Sequence, residues 1–258
     1  MASRKTPSPP AVERAFAILE LLAQSRSGLL FSEVAERLDL PRSSVHCLLV
    51  GLERCGYAHR HLKTGRYSPS MKLFTLANTA LGGLPLRDAA IPLLRDLCTK
   101  TGLTVHLGVM EQGEAVLVGK VEPGTARLAT WIGKRMDLHC TSIGKVLLAQ
   151  LDDHTVEQIL SERGMPRHNE NTIAGRKRLR EELARVRDVG YAIDDEEDEL
   201  GFRCIGVPVT VATDHAPAAI SISGTTSQVT QSNERQLAQL LKQTAKAITG
   251  QLSSTETL

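Results

Sequence analysis

The sequence lacks the features that mark secreted and membrane proteins. Its five cysteines are scattered, with no Cys-x-x-Cys pair, which argues against a disulfide framework and favours reduced thiols in the cytosol. No apolar run approaches the roughly 18 residues that span a bilayer. Residues 1–10 are basic and rich in proline, without the apolar core of a secretory signal. We therefore expect a cytoplasmic protein with a disordered N-terminal arm and no membrane partner.

The sequence also lacks common catalytic signatures. There is no Gly-x-Ser-x-Gly motif, and the segment ending in Gly144-Lys145 is not a phosphate-binding loop because His139 stands where the first glycine is required. No His or acid is placed in the sequence to activate Cys140 or Ser142 as a nucleophile. A hydrolase-like enzyme using either residue is an alternative, but we expect a non-enzyme with no cofactor and no metal.

Charge is unevenly distributed along the 258 residues, a length sufficient for two domains. Residues 1–70 contain ten Lys and Arg against six Asp and Glu, a net charge of +4. The remainder contains 21 against 23, a net charge of −2. This asymmetry indicates that only the front of the chain contacts a polyanion.

Residues 29–57 predict two short helices joined by a tight turn. Ser32 stands at an N-cap position, Asp39-Leu40 can form the turn, and Pro41 suits the first position of the second helix. The opposite face of that second helix is polar, with mostly small side chains, as a helix in the major groove of DNA requires. Its apolar stripe consists of Val45, Leu48, Leu49 and Leu52.

A short basic hairpin follows these helices, with two strand segments flanking Lys63-Thr64-Gly65. Upstream, residues 12–22 predict a helix that turns Val12, Phe16 and Leu19 toward the same small core. The two central helices alone also fit any helical hairpin packed on a core. The added basic hairpin favours a winged helix-turn-helix.

Residues 71–85 predict an apolar helix between two domains. Phe74, Ala77 and Leu81 share one face, and Gly82-Gly83 marks the end of the helix. That face must be buried, either against its own domain or against the same helix of a partner.

The remaining residues predict an α+β domain, one antiparallel sheet with helices around it. Helices are expected at 86–101, 142–151, 153–163 and 175–188, with a last one near the C-terminus. Strands are expected at 104–110, 115–119, 127–131, 191–193, 204–211 and 218–223. Trp131 could line a pocket or belong to the core.

A polar loop, residues 139–145, opens one of these helices. Backbone N–H groups at a helix N-terminus bind carboxylates, and Gly144 would let a ligand approach the backbone. A helix capped by Thr141 or Ser142 is the simpler interpretation. Ser221 and Ser223 are two residues apart and project from one face of a strand, toward a ligand or toward neighbouring backbone.

Two possible metal sites are weak. Residues 194–199 are six consecutive acids, but they lack the alternation and glycine turn of an oxygen-ligand site, which favours a solvated loop. No ligand spacing supports a zinc site built from His106, His139, Cys140 and Cys204.

Six segments, taken in order, resemble the IclR family of bacterial transcription regulators. They are VERAFAILELLAQ, SEVAERLDLPRSSVHCLLVGLERCGY, TGRYS, LRDAAIPLLRDLCTKTGLTVHLGV, LHCTSIGKVLLAQL and GYAIDDEEDELGFRCIGVPV, and the similarity covers about residues 11–250. The resemblance implies a winged helix-turn-helix DNA-binding domain (11–70), a linker helix (71–85) and a GAF-like effector-binding domain (86–258). It also implies homodimers that pair into tetramers.

The resemblance implies a ligand-responsive repressor or activator of a catabolic operon that senses a small organic acid. Double-stranded operator DNA would be read by Arg42, Ser43, Ser44 and His46, with Arg60, Lys63 and Arg66 on the DNA backbone. The family usually has a basic residue where Cys47 stands, so we expect Cys47 to pack or to make a neutral contact. The implied effector-binding residues are Leu128, Leu138, Ser142, Ile143, Gly144, Asp194, Cys204, Gly206, Ser221 and Ser223. An interaction module that does not bind DNA fits the linker helix but not the basic hairpin.

Overall fold

The computed structural model describes residues 10–124, 128–210 and 216–255. The arm predicted for residues 1–10 lies outside them, except for its last residue. The described residues divide into two compact units, with the boundary between Gly83 and Leu84. No helix in these ranges is long and apolar enough to cross a membrane.

The first unit is a small helical core with a two-stranded hairpin. Its elements are α1 (Pro10–Ala23), α2 (Phe31–Arg37), α3 (Arg42–Arg54), β1 (Ala58–Arg60), β2 (Tyr67–Pro69) and α4 (Lys72–Leu81). The predicted helix-turn-helix and the antiparallel wing are both present. The face predicted for α1 is wrong for Val12 and Phe16, which are 47% and 60% exposed; Leu19 is buried as predicted, together with Ile18 and Leu22.

The turn between α2 and α3 has the expected geometry with shifted helix starts. Asp39 adopts a left-handed conformation, with φ of 49°. Helix α2 begins at Phe31, so Ser32 lies inside it rather than at its N-cap. The Leu30 N–H donates to Glu33 Oε2 at 2.6 Å, and Pro41 precedes α3 instead of opening it.

The second unit is an α+β domain with a six-stranded, fully antiparallel sheet in the order β5-β4-β3-β8-β7-β6. Its strands are β3 (Thr104–Glu111), β4 (Glu114–Val121), β5 (Arg135–Met136), β6 (Ala192–Asp195), β7 (Phe202–Val209) and β8 (Ala218–Thr225). Its helices are α5 (Pro85–Thr101), α6 (Ser142–Ala149), α7 (Asp153–Arg163), α8 (Arg176–Val189) and α9 (Glu234–Thr255). The predicted fold class is confirmed.

One predicted strand of this unit is wrong. Of the strand predicted at 127–131, residue 127 lies outside the described residues and residues 128–131 form no strand. The strand that pairs with the outer edge of β4 comes later, at β5. Trp131 is 61% exposed, so it is not a core residue. The Lys134 ammonium lies 5.5 Å from the centroid of the Trp131 ring.

Helices cover both faces of the sheet. Helices α5 and α9 pack against each other and against one face, which carries Val105, Leu107 and Ile220. Helix α6 packs on the opposite face and also contacts α8. Because helices cover both sides of the sheet, consecutive residues of β3 are buried over most of the strand, although they point to opposite faces.

Helix α6 lies close to the sheet at Gly206 and close to the preceding loop at Gly144, because these two glycines have no side chain. A Cβ at Gly206 on β7 would lie 2.7 Å from the Ser142 carbonyl oxygen. A Cβ at Gly144 would overlap the Leu138 Cα and lie 2.7 Å from the Asp137 carbonyl oxygen. Gly144 therefore accommodates the protein's own backbone, which corrects its predicted role of admitting a ligand.

We predict that Gly206→Ala destabilises the second unit. The added methyl group must displace the first turn of α6, and overpacking of this kind costs about 1–3 kcal/mol. Urea denaturation of the full-length protein measures the loss. Gly124→Ala is the control, because this glycine lies outside the helices and no atom of the described residues lies within 4 Å of the added methyl group; equal stability of the two variants would contradict the packing argument.

Candidate nucleic-acid interface and ligand site

Helix α3 presents a polar exposed face opposite its buried stripe. Val45, Leu49 and Leu52 are buried, whereas Arg42, Ser43 and His46 are exposed and Ser44 is half-buried. The His46 ring meets the Phe31 ring edge-on, with centroids 6.2 Å apart. Cys47 is exposed on the same helix, so it does not pack in the core.

The wing carries a basic surface beside this helix. Arg60 and Lys63 are exposed, and the Arg60 guanidinium lies 5.8 Å from the Tyr67 ring centroid. Arg66, by contrast, is engaged within the protein. Its Nη1 donates to the Gly28 carbonyl at 2.8 Å and to Glu33 Oε2 at 2.9 Å.

Arg66 thus joins the wing to the start of α2. Reciprocal backbone hydrogen bonds between Leu29 and Tyr67, at 2.9 and 2.7 Å, make the same connection. The Leu30 N–H and the neighbouring arginines hold the pKa of the Glu33 carboxyl below its usual value, with the backbone hydrogen bond contributing most. A contact between Arg66 and a DNA phosphate would compete with these bonds, so the structure gives this residue a structural contact that the sequence did not indicate.

In the second unit, strand register gathers the polar residues on the α6 face of the sheet. Directly paired residues of antiparallel strands point to the same face. One row runs from Asp194 through Cys204 and Ser223 to Thr104. The neighbouring row runs through Gly206, Ser221, His106 and Lys120.

This register unites the two ligand-binding patches predicted from sequence. Gly206 lies against the Ser142 backbone, and Gly144 against Leu138, so the loop before α6 and the strand residues share one face. The Lys120 ammonium, which donates to the carbonyl oxygen of Leu128 at 3.2 Å, ties that residue to the second row.

His106 and Thr104 belong to this face although sequence reasoning did not select them as effector-binding residues. His106 Nε2 lies 2.9 Å from Thr130 Oγ1, and Nδ1 lies 3.4 Å from Ser223 Oγ. Burial lowers the pKa of His106 to about 3, assisted by the charges of Lys120 and Lys134, so the imidazole is neutral at neutral pH. The alternation of side chains along β3 was the sequence signal that could have placed Thr104 and His106 on this face.

The first turn of α6 has two uncommitted backbone donors. Thr141 is the N-cap, and its Oγ1 accepts from the Gly144 N–H at 3.0 Å. The Lys145 N–H donates to the Thr141 carbonyl. Within the described residues, no acceptor is bonded to the N–H groups of Ser142 or Ile143. Of the three backbone N–H groups predicted to bind a ligand, that of Gly144 is therefore already bonded, whereas those of Ser142 and Ile143 are not.

The acidic run is not simply a solvated loop, because Asp194 and Glu197 are buried. Asp194 Oδ1 accepts from the Glu197 N–H at 2.9 Å, and burial raises the pKa of Asp194 to about 7. Glu197 Oε1 lies 2.5 Å from the Lys145 ammonium, which is 1% exposed. This ion pair connects the acidic run to the middle of α6.

Neither proposed nucleophile is activated. Cys140 is fully buried, and burial together with nearby acidic groups raises the pKa of its thiol well above the usual value. A reactive cysteine needs a lowered pKa and access to solvent. Ser142 is also buried, with no base bonded to its hydroxyl in the described residues.

Two family models match the chain. One, described as the IclR helix-turn-helix domain, matches residues 11–62, and the other, the C-terminal region of the bacterial transcriptional regulator IclR, matches residues 78–250. The chain belongs to the IclR family. Members of this family are DNA-binding transcription regulators with a C-terminal ligand-binding domain rather than enzymes, which confirms the expectation of a non-enzyme.

Individual relatives agree with this assignment. The regulator XynR of Escherichia coli strain K12 is 34% identical over 239 residues, covering 92% of this chain and 95% of its own. The crystal structure of Thermotoga maritima IclR is 31% identical with a TM-score of 0.76, covering 93% of this chain and 98% of its own. An IclR homolog from Microbacterium hydrocarbonoxydans, complexed with 4-hydroxybenzoate, shares the fold at 23% identity, with a TM-score of 0.81 and coverage of 95% and 99%.

We predict that Arg66→Ala destabilises the first unit, whereas Lys63→Ala leaves its stability unchanged. Of these two side chains, Arg66 makes hydrogen bonds that join the wing to the residues at the start of α2, whereas Lys63 makes none within the described residues. Thermal unfolding followed by circular dichroism measures the effect. Because the pKa of Glu33 is lowered on folding, the ion pair contributes above the ordinary carboxyl pKa. The difference between wild type and Arg66→Ala should therefore shrink as the pH falls below 4.5. Equal midpoints for both variants would contradict the structural role.

Proposed function

We propose that this protein is a cytoplasmic regulator of a catabolic operon, whose affinity for double-stranded operator DNA changes when a small organic acid binds to its C-terminal domain. Residues 11–70 form the DNA-binding domain in this proposal, residues 71–85 the linker and residues 86–258 the effector-binding domain. The observation that carries the proposal is the polar, exposed face of α3 beside a basic wing.

Helix α3 is the proposed reader of base edges. Arg42, Ser43, Ser44 and His46 lie on the face opposite the buried stripe, where their donors and acceptors can reach the major groove. Arg60 and Lys63 would contact phosphates, a sequence-independent contribution that depends on salt. Arg66 joins them only if DNA replaces one of its internal partners.

We predict different effects for Ser43→Ala and Lys63→Ala on DNA binding. Lys63→Ala should weaken binding to all sequences alike and reduce the salt dependence by about one counterion. Ser43→Ala should instead change the preference among operator variants, since it removes a donor at the groove. Fluorescence anisotropy with a selected operator, its single-base variants and random DNA distinguishes the two. If both variants weaken specific and random binding equally, α3 is not the reader.

The proposed effector site is the α6 face of the sheet. The N–H groups of Ser142 and Ile143 are available to a carboxylate, and the positive end of the helix dipole favours one negative charge. Thr104 Oγ1 is buried without a hydrogen-bond partner among the described residues, and burying such a group alone is costly. Ser221, Ser223 and Asp194 add further polar groups along the two rows.

Neutral and apolar groups complete this proposed site. His106 is uncharged and Lys120, in the same row, is paired with Glu122, so neither residue supplies a free positive charge to match a second negative charge on the ligand. Leu138 and Ile143 are buried and can cover an apolar part of the ligand. The 4-hydroxybenzoate bound by the Microbacterium homolog combines one carboxylate, one hydroxyl and an apolar ring, which is the kind of ligand this arrangement fits. Cys204 and Gly206, in the same rows, and Leu128 are the other proposed contacts.

We predict that small carboxylic acids bind the full-length protein and that their methyl esters bind at least about tenfold more weakly, because an ester cannot supply the charge that the helix terminus favours. Isothermal titration calorimetry against a panel of acids and esters measures this. Ser223→Ala should weaken the best acid, whereas Ser227→Ala, an exposed residue just beyond β8, should not. Esters that bind as tightly as their acids would contradict the helix-terminus site.

We also propose that the protein is a homodimer, pairing further into a dimer of dimers. A single winged helix contacts too few base pairs to select a site in a genome. Helix α4 has no buried residue, and Phe74 and Leu76 are 61% and 56% exposed. An apolar helix left this exposed fits a surface that a second copy covers.

Phe74→Glu should dissociate the assembly, because it would bury an unpaired charge at the proposed seam. Sedimentation velocity measures the mass, and the loss of dimers should reduce operator affinity as well. Thr79→Glu, a change on an already polar position of the same helix, is the control. A Phe74→Glu protein that sediments and binds operator as wild type does would remove α4 from the interface.

A further inference from the structure

Three side chains near the start of α6 form a cluster with metal-ligating atoms. His139, Cys140 and His168 each offer one such atom, and these atoms all lie within 4.8 Å of one another. His139 and Cys140 are buried, while His168 comes from an exposed position 28 residues further along the chain. The combination differs from the zinc set considered from sequence, because His168 takes the place of His106 and Cys204.

We propose that His139, Cys140 and His168 bind a transition-metal ion, with Zn²⁺ the best match. Two imidazoles and a thiolate are ligands that Zn²⁺ prefers, whereas Ca²⁺ and Mg²⁺ require oxygen ligands. On binding, the Cys140 thiol releases its proton to solvent and its sulfur forms a bond to the metal. No oxidation or reduction accompanies this step.

The hydrogen bonds of both imidazoles support the proposal independently of their proximity. His139 Nε2 lies 2.9 Å from the carbonyl oxygen of Pro166, and His168 Nε2 lies 2.9 Å from Asp137 Oδ2. Histidine ligands of metals ordinarily donate one ring N–H to a carbonyl or a carboxylate, which leaves the other nitrogen for the metal. Both rings have this arrangement, and Nδ1 is the remaining nitrogen in each.

One of the two rings must move for the cluster to reach coordination distances. Zn–S bonds of about 2.3 Å and Zn–N bonds of about 2.0–2.1 Å place ligand atoms roughly 3.5 Å apart. The two rings are stacked with centroids 6.3 Å apart. Because an imidazole binds a metal through a lone pair in the plane of its ring, one ring must turn until both Nδ1 lone pairs point to the same position. His168, whose side chain is 34% exposed, is the ring with room to move.

Charge and access also suit a divalent cation. The Cys140 thiolate and the Asp137 carboxylate together balance two positive charges. A cavity of about 130 Å³, lined in part by Asp137, Leu138 and His139, borders the cluster. Three protein ligands leave a fourth position, which water can occupy from this side.

The test uses the full-length, reduced protein with Co²⁺ as a spectroscopic substitute for Zn²⁺. Cys47 and Cys55 are exposed, so both are first replaced by Ser to remove competing thiols. This protein should bind one Co²⁺ with thiolate-to-cobalt charge-transfer absorption, and Zn²⁺ should displace the cobalt. Zn²⁺ should also raise the midpoint of thermal unfolding.

Single substitutions in this background assign the ligands. His168→Asn should weaken Co²⁺ binding at least about 100-fold, and Asp137→Asn about 10- to 100-fold, because Asp137 only orients His168. His154→Asn changes an exposed histidine of the same unit and should leave the affinity unchanged. Because His168 is exposed, its replacement should not unfold the protein, which circular dichroism verifies.

Two results would overturn the proposal. One is the absence of a thiolate-to-cobalt band in the starting protein. The other is a folded His168→Asn variant that binds Co²⁺ as tightly as that protein does. The metal site does not depend on the proposed effector, so neither result bears on acid binding.

Discussion

The ligand-binding half of the molecule depends on one backbone contact, between the first turn of α6 and strand β7 at Gly206. Because no side chain separates them, the helix lies directly on the sheet. Its N-terminal N–H groups therefore meet the rows of polar residues that strand register assembles from five strands. The buried ion pair between Lys145 and Glu197 connects the same helix to the loop that follows β6. A charge pair this deeply buried is hard to break one partner at a time.

The DNA-binding half is held together by a smaller set of contacts. A few apolar side chains of α1, α2 and α3 form its core, and the wing is attached through Arg66 and the backbone pair of Leu29 and Tyr67. These contacts leave the polar face of α3 exposed. Arg66 thus holds the wing in place, while Arg60 and Lys63 on the same wing stay exposed.

Much of the fold could be predicted because apolar periodicity is a local signal. The helix-turn-helix, the wing, the β3–β4 hairpin and the order of later helices all follow from it. The strand at 127–131 was wrong because pairing is decided by the neighbouring strand, and β4 pairs instead with Arg135 and Met136. The predicted face of α1 was wrong at Phe16 for a similar reason, since this residue fits an apolar stripe that the small core does not cover.

The site was predictable only in part. Asp194, Cys204, Ser221 and Ser223 were selected, and register places them together on one face. Thr104 and His106 were missed because the second face of β3 appears polar in sequence, although α6 buries it. The contact of Arg66 with Glu33 spans 33 residues, and the cluster of His139, Cys140 and His168 spans 29 residues. No spacing rule reveals contacts at such separations.

In the regulator that we propose, the site under α6 is coupled to DNA binding. Coupling between two binding sites is reciprocal. If the acid changes the affinity of the protein for operator DNA, operator DNA changes the affinity of the protein for the acid by the same factor. The decisive measurement is the calorimetric affinity of the full-length protein for its best acid, with and without saturating operator DNA. We expect the two affinities to differ by about 5- to 150-fold. Equal affinities would show that the acid site does not regulate DNA binding.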